Sequence, residues 1–317
     1  MPDSPELGLH LAGLLAILVA AVLVPWIGMR MLVPSLAVSD RTVRNYRGRQ
    51  VPLGLGIVWV FWAAGVGIHQ AVSLALALPH EYTSSLWFEI VVAVPLVAGA
   101  FALGLIDDAF GTSGHKGFRG HLSALRHGQL TTGAIKLFGI GLLALVGAAL
   151  PSELWRGVTT ASVVRYGVAV LVIGLAANTV NLFDLRPGRA LKAYSLLAVV
   201  AVPLGIWSLI RVDYGLPVAS ALFDGLLVLL IALGPVVAVW RYDLGEAGML
   251  GDAGANAFGM LAGLLLVSAL PLAGAVVVAA VLLGLNLVSE RVSFSAVIER
   301  TAWLAAVDRW GRAPDTE

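Results

Sequence analysis

The chain has no cysteine and little charge: of its 317 residues, 12% are charged and 59% are apolar, with a mean hydropathy of +0.92. The missing cysteines exclude disulfides, thiol nucleophiles and thiolate metal ligands, without assigning a compartment. The scarcity of charge excludes a soluble globular domain, because a chain of this length cannot bury so much apolar surface. A net charge of +1 offers no basis for nucleic-acid binding. The first residues, Met1-Pro2-Asp3-Ser4-Pro5-Glu6, lack the basic leader of a signal peptide, so the first apolar run is expected to remain as a membrane helix. With no internal repeat and no low-complexity linker, one domain is expected.

A membrane-spanning helix needs about 20 apolar residues. On that measure the sequence predicts an all-α polytopic membrane protein of about nine transmembrane helices. The spans are read over Leu7–Met29, Leu53–Leu78, Leu86–Ile106, Thr131–Leu150, Val163–Ala177, Ala193–Ile210, Ala219–Trp240, Gly254–Leu270 and Leu272–Val288. Basic residues then orient it, since Lys and Arg gather in cytoplasmic loops. Arg41, Arg44, Arg47 and Arg49 follow the first span; Lys116, Arg119 and Arg126 follow the third; Arg186, Arg189 and Lys192 follow the fifth. Arg241 follows the seventh, and Arg291, Arg300, Arg309 and Arg312 follow the ninth, whereas the other side holds Arg156, Arg165 and Arg211. The N-terminus is therefore expected outside and the C-terminus in the cytoplasm of a multi-pass inner (plasma) membrane protein. Residues 1–290 form the membrane domain, and 291–317, with Trp303 and Trp310 among arginines, read as an amphipathic interfacial tail.

This orientation brings four acids to one face: Asp107 and Asp108 at the foot of the third span, Asp184 after the fifth and Asp252 before the eighth. Ionisable residues at the edge of an apolar run are costly unless they bind something. Neighbouring carboxylates can hold Mg²⁺ or share a proton, although a helix end facing water would also carry them. Asn178-Thr179-Val180-Asn181-Leu182-Phe183-Asp184 puts Asn178, Asn181 and Asp184 at helical spacing, suiting amide donors for an anion beside a carboxylate for a metal. Gly248-Met249-Leu250-Gly251-Asp252-Ala253-Gly254 allows backbone to approach a phosphate and leads into a helix N-terminus, which favours anions; a glycine-rich turn between helices is the plainer reading. Asn45-Tyr46-Arg47-Gly48-Arg49-Gln50-Val51-Pro52 would attract anionic lipid heads in general or one lipid phosphate in particular.

Taken in order, these motifs, with Lys116-Gly117, resemble the polyprenyl-phosphate N-acetylhexosamine-1-phosphate transferase superfamily over most of the chain. That superfamily includes phospho-N-acetylmuramoyl-pentapeptide transferase and the transferases that start surface polysaccharides. The resemblance implies Mg²⁺-dependent transfer of a sugar-1-phosphate from a UDP-sugar to a polyprenyl phosphate, releasing UMP, early in cell-envelope glycan synthesis. It implies Asp252 as metal ligand, Asp184 in metal and catalytic roles, and Asp107 or Asp108 to deprotonate or position the lipid phosphate. Asn178, Asn181, Lys116, Arg47 and Arg49 become substrate contacts; Mn²⁺ is the substitute cofactor, and a homodimer stays open. The chain departs from the family pattern in three places: Leu185 follows Asp184 where glycine is usual, Gly111 replaces an acid, and no histidine follows His127. Glu290 and Arg291 are the expected substitutes for the missing histidine motif. Other readings left open are a non-catalytic scaffold or lipid-phosphate binder, and a secondary transporter, whose polar site belongs nearer the bilayer midplane.

Overall fold

The computed structural model describes residues 4–39, 41–75, 85–111, 117–149, 158–211 and 218–312. Among them, nine helices are long and apolar enough to cross a membrane, and the chain is an all-α polytopic membrane protein. The first crossing runs through α1 (Ser4–Ile17), a π-helical stretch (Leu18–Leu23) and α2 (Val24–Ala37). A short hairpin follows, β1 (Thr42–Arg44) and β2 (Gln50–Pro52), antiparallel with Val43 opposite Val51. Then come α3 (Val58–Ala75), α4 (Ser85–Phe110), the short α5 (Gly117–Arg126), α6 (Thr132–Ala149), α7 (Thr160–Phe183) and α8 (Arg189–Arg211). The crossings end with α9 (Val218–Leu244), α10 (Gly251–Ala269) and α11 (Leu272–Ser289), after which α12 (Phe294–Arg300) and α13 (Ala302–Arg309) form the tail.

Helix α10 is the axis of the bundle, buried along nearly its whole length against α4, α7 and α8. Small residues make that possible. A Cβ at Gly259 would strike the backbone of Ala177, and one at Gly263 the backbone of Ile173, so α7 and α10 meet backbone to backbone at this four-residue spacing. A Cβ at Gly104 would likewise strike Asp252 and Ala253, which brings α4 against the start of α10. The far end of α10 is closed by Arg165, whose guanidinium donates to the carbonyls of Val267 and Leu270.

Around this axis the large aromatics pack with their polar atoms satisfied. Trp59 and Tyr194 meet Phe258 at ring centroid distances of 4.6 and 4.7 Å. Pro235, inside α9, lacks the N–H that would bond the carbonyl of Ile231, and the indole N–H of Trp62 donates to that oxygen at 2.9 Å. In a medium without water such a replacement is required, since an unpaired carbonyl costs several kcal/mol.

Hydropathy reads most helices short at the end of the bundle that carries the acids, although it starts the second span at Leu53 where α3 begins at Val58. The first crossing continues to Ala37 rather than stopping at Met29, because Arg30 ends an apolar count without ending a helix. α7 spans Thr160–Phe183 rather than Val163–Ala177; a Thr159–Ser162 capping box starts it earlier, and Asn178 through Asn181 are helical. α8 begins at Arg189 and α10 at Gly251, so Asp252 lies within the first turn of its helix and not before it. The polar site residues are thus mostly the end turns of helices, held as rigidly as the bundle. Orientation in the bilayer rests on the charge asymmetry of the loops.

Candidate functional site

Adjacent residues on a helix point about 100° apart, so Asp107 and Asp108 at the end of α4 face different neighbours. Asp108 lies one turn beyond Gly104, on the face where α4 touches α10. There its Oδ1 accepts the N–H of Asp252 at 2.9 Å and its Oδ2 the N–H of Ala253 at 3.0 Å. Asp184, which ends α7, accepts the N–H of Gly251. The first-turn donors of α10, which the glycine-rich sequence offered to a phosphate, are therefore taken by two of the protein's own carboxylates. This is a helix N-cap supplied from other helices. Gly251 is obligatory in it: its φ of +69° is in the left-handed region, and a Cβ there would meet the Asp108 carboxylate and Leu53.

Asp107 turns instead toward α6. Its carboxylate accepts from Lys136 Nζ at 2.6 Å, and the same ammonium pairs with Asp252, tying α4, α6 and α10 together. Thr132, one turn before Lys136, hydrogen-bonds Asp107 as well. Lys136 was absent from the sequence-predicted site; its signal is a lone lysine near the start of an otherwise apolar span, a position that favours function. Asp243 was also missed. It is buried near the end of α9 and accepts the N–H of Gly188 at 2.7 Å.

Although Asp184 retains some exposure as a residue, its carboxyl is enclosed. Burial, and then the charges of Asp243, Asp252 and Asp108, push it well above the ordinary carboxylate range, against the lowering effect of the Gly251 N–H. The buried Asn181 Oδ1 has no hydrogen-bond partner among the described residues. Asn178 does not join it: its amide pairs with Asn286 of α11, which donates to the Thr179 hydroxyl at 2.8 Å. The predicted Asn178–Asn181–Asp184 stripe is therefore split between two sets of neighbours.

Most of the basic residues expected to meet phosphate are engaged within the protein. Arg47 pairs with Glu246 at 3.1 Å, Arg49 pairs with the same carboxylate, and Asn45 donates to it at 2.7 Å. Glu246 holds this knot with a φ of 54°, uncommon for a side-chain-bearing residue. The hairpin is pinned beside the α10 loop, where Met249 N–H donates to Pro52 and Leu55 N–H to Met249. Lys116 lies outside the described residues. Glu290 and Arg291 are exposed at the C-terminal end of α11.

The tail is not simply laid on an interface. Arg189, buried at the start of α8, forms a fork to both oxygens of Asp308 at 2.7 and 2.9 Å. Lys192 donates to the carbonyls of Val307, Asp308 and Trp310, closing the end of α13. Arg186 pairs with Glu299 at 2.6 Å, and Phe183 stacks on Phe294. The basic cluster after α7 thus anchors the tail to the membrane domain, while Trp303 and Val307 remain exposed and Trp310, though exposed, meets Trp240 of α9 edge-on at 5.8 Å.

No protein-family model matches the chain, and no curated protein is significantly similar to it. The site itself defines what it can hold. Asp107, Asp108, Asp184 and Asp252 act on one another with Lys136 held between Asp107 and Asp252, while Asp243, beside Asp184, also feels Lys192 and Arg312; among the described residues these acids outnumber these cations. Among the described residues no three carboxylate or imidazole side chains form a metal cage. Mg²⁺ does not require one, since it keeps its waters and takes one or two carboxylates together with substrate phosphates. All-oxygen donors, the excess of acid and the unpaired Asn181 oxygen fit such a cation.

Proposed function

We propose that the protein transfers a sugar-1-phosphate from a UDP-sugar to a polyprenyl phosphate and releases UMP. The observation that carries the reading is the Asp107–Lys136–Asp252 bridge at the bundle end, beside Asp184 and the unpaired Asn181. An oxygen of the lipid phosphate attacks the β-phosphorus of the donor; the new P–O bond forms as the bond to UMP breaks. Both reactants are anions, so the reaction needs positive charge and alignment more than covalent help. Asp252 and Asp184 are the residues to hold Mg²⁺, which when bound neutralises the pyrophosphate and the charge on the leaving UMP.

Asp107, paired with Lys136 and hydrogen-bonded to Thr132, is the carboxylate assigned to the lipid phosphate, and Lys136 is the cation to hold it. Asp108 is committed to the α10 amides and acts as a positioning residue. Asn181 offers its amide to the pyrophosphate or to a metal-bound water. The basic loops at this end support a cytoplasmic placement of the site, where nucleotide and lipid phosphate can both arrive. A secondary transporter is disfavoured by the position of the polar cluster, in the end turns of helices rather than midway along them.

The test is UMP release by purified protein with Mg²⁺, undecaprenyl phosphate and a panel of UDP-sugars. Lipid-dependent UMP from one donor, abolished in Asp252→Ala, supports the transferase. Turnover retained by Asp252→Ala removes that residue from the metal role. No release from any donor by folded protein favours a non-catalytic lipid-phosphate binder.

A further inference from the structure

A cleft of about 470 Å³ lies between the end of α2, the hairpin and the end of α9, apart from the Asp107–Lys136–Asp252 bridge. Two arginines line it. Arg30 is an exposed residue of the first crossing, set in the apolar stretch Trp26-Ile27-Gly28-Met29-Arg30-Met31-Leu32-Val33. Among the described residues its guanidinium meets only the Trp26 ring, with 5.4 Å to the centroid. Arg241, facing it from α9, meets the ring and hydroxyl of Tyr242. Neither has a carboxylate partner among the described residues. Glu246 also lines the cleft, but Arg47 and Arg49 already outnumber its charge. The cleft is therefore net cationic, and Val33, Pro34 and Ala37 make one wall apolar.

A guanidinium on a membrane helix, followed by apolar residues toward the same end, is costly against acyl chains and favourable at the level of lipid phosphates. Two such groups and the Tyr242 hydroxyl line the same cleft and offer donors to the oxygens of a phosphodiester, for which planar guanidinium forks are suited. Pro34 removes the helical N–H that would bond the Arg30 carbonyl, leaving an acceptor nearby for a hydroxyl. We infer that the cleft between Arg30 and Arg241 holds the headgroup of a resident anionic phospholipid, whose acyl chains run down the exposed face of α2. This site is separate from the proposed reaction and does not depend on it.

The test uses full-length protein, delipidated in a neutral detergent. Its thermal midpoint is followed on adding phosphatidylglycerol or phosphatidylcholine, and bound lipid is counted by native mass spectrometry. Phosphatidylglycerol is expected to raise the midpoint and to remain bound, with phosphatidylcholine doing neither. Arg30→Gln combined with Arg241→Gln is expected to cut phosphatidylglycerol affinity about tenfold or more. Arg30→Lys with Arg241→Lys keeps part of it, and Arg300→Gln, on the tail, leaves it unchanged. Equal affinity in the double glutamine variant overturns the proposal. So does an equal effect of soluble glycerol 3-phosphate, which would make the cleft a phosphate site, or binding of undecaprenyl phosphate alone, which would return it to the substrate lipid.

Discussion

Two neighbouring aspartates that look equivalent in sequence are expected to fail in different ways when replaced. Asp108→Ala removes the acceptor for the N–H groups of Asp252 and Ala253 at the start of the most buried helix. Loss of an N-cap costs about 1 kcal/mol, and loss of a carboxylate from a partly buried helix N-terminus costs about 1 kcal/mol more. A total of about 2 kcal/mol corresponds to a fall of roughly 4 °C in thermal midpoint for a chain of this size. Asp107→Ala leaves Lys136 still paired with Asp252 and relieves repulsion between two carboxylates, so its midpoint should move by roughly 1 °C or less. Activity should invert the order. Asp107→Ala is expected to lose turnover about a hundredfold or more, as for removal of a general base, whereas Asp108→Asn, which keeps one acceptor oxygen, should retain measurable turnover. Thermal unfolding in detergent, alongside UMP release, reads both. Equal destabilisation by the two alanine variants would refute the division of roles.

Three further outcomes follow from the geometry. Lys136→Met leaves Asp107 and Asp252 facing each other, and is expected to cost about 2 kcal/mol in the presence of a chelator, with much of the loss recovered by Mg²⁺; a midpoint indifferent to Mg²⁺ would contradict a cation site here. Gly259→Leu drives a side chain into the Ala177 backbone, which cannot move aside, so properly folded protein should fall severely, as judged by size-exclusion yield and thermal midpoint. Burial pushes the Asp308 carboxyl up, but hydrogen bonds from Arg189 and the charges of Arg312 and Arg189 carry it below its ordinary value. A depressed carboxylate stabilises the docked tail above its free pKa of about 3.9, and that stability is lost as pH falls through the lowered value. Proteolysis with an acid-active protease should therefore spare the tail near pH 5 and cut it increasingly as pH is lowered below the free value of about 3.9, while Asp308→Asn should expose it already at pH 5.

The class of this protein was legible in composition alone. Apolar runs of membrane-spanning length leave no other fold, because a backbone in lipid must satisfy its hydrogen bonds within each segment. Loop charges proposed an orientation, and Asp107, Asp108, Asp184 and Asp252 stood out as acids where acids are expensive. Their ordering beside Asn181 was enough to suggest phosphate chemistry. The sequence could not tell which carboxylate caps a helix and which faces a cation, since that depends on Gly104 letting α4 touch α10, a contact between residues 104 and 252. Nor could it show that Arg47 and Arg49 are held by Glu246, or that Arg189 and Lys192 are committed to the tail. Lys136 escaped notice because a single charge in an apolar segment carries no spacing, and Asp243 because it sits among the other charges that end α9, Arg241 and Glu246. A charged side chain announces its cost in the sequence; only the tertiary structure decides which partner offsets it, because partners come from helices far apart in the chain.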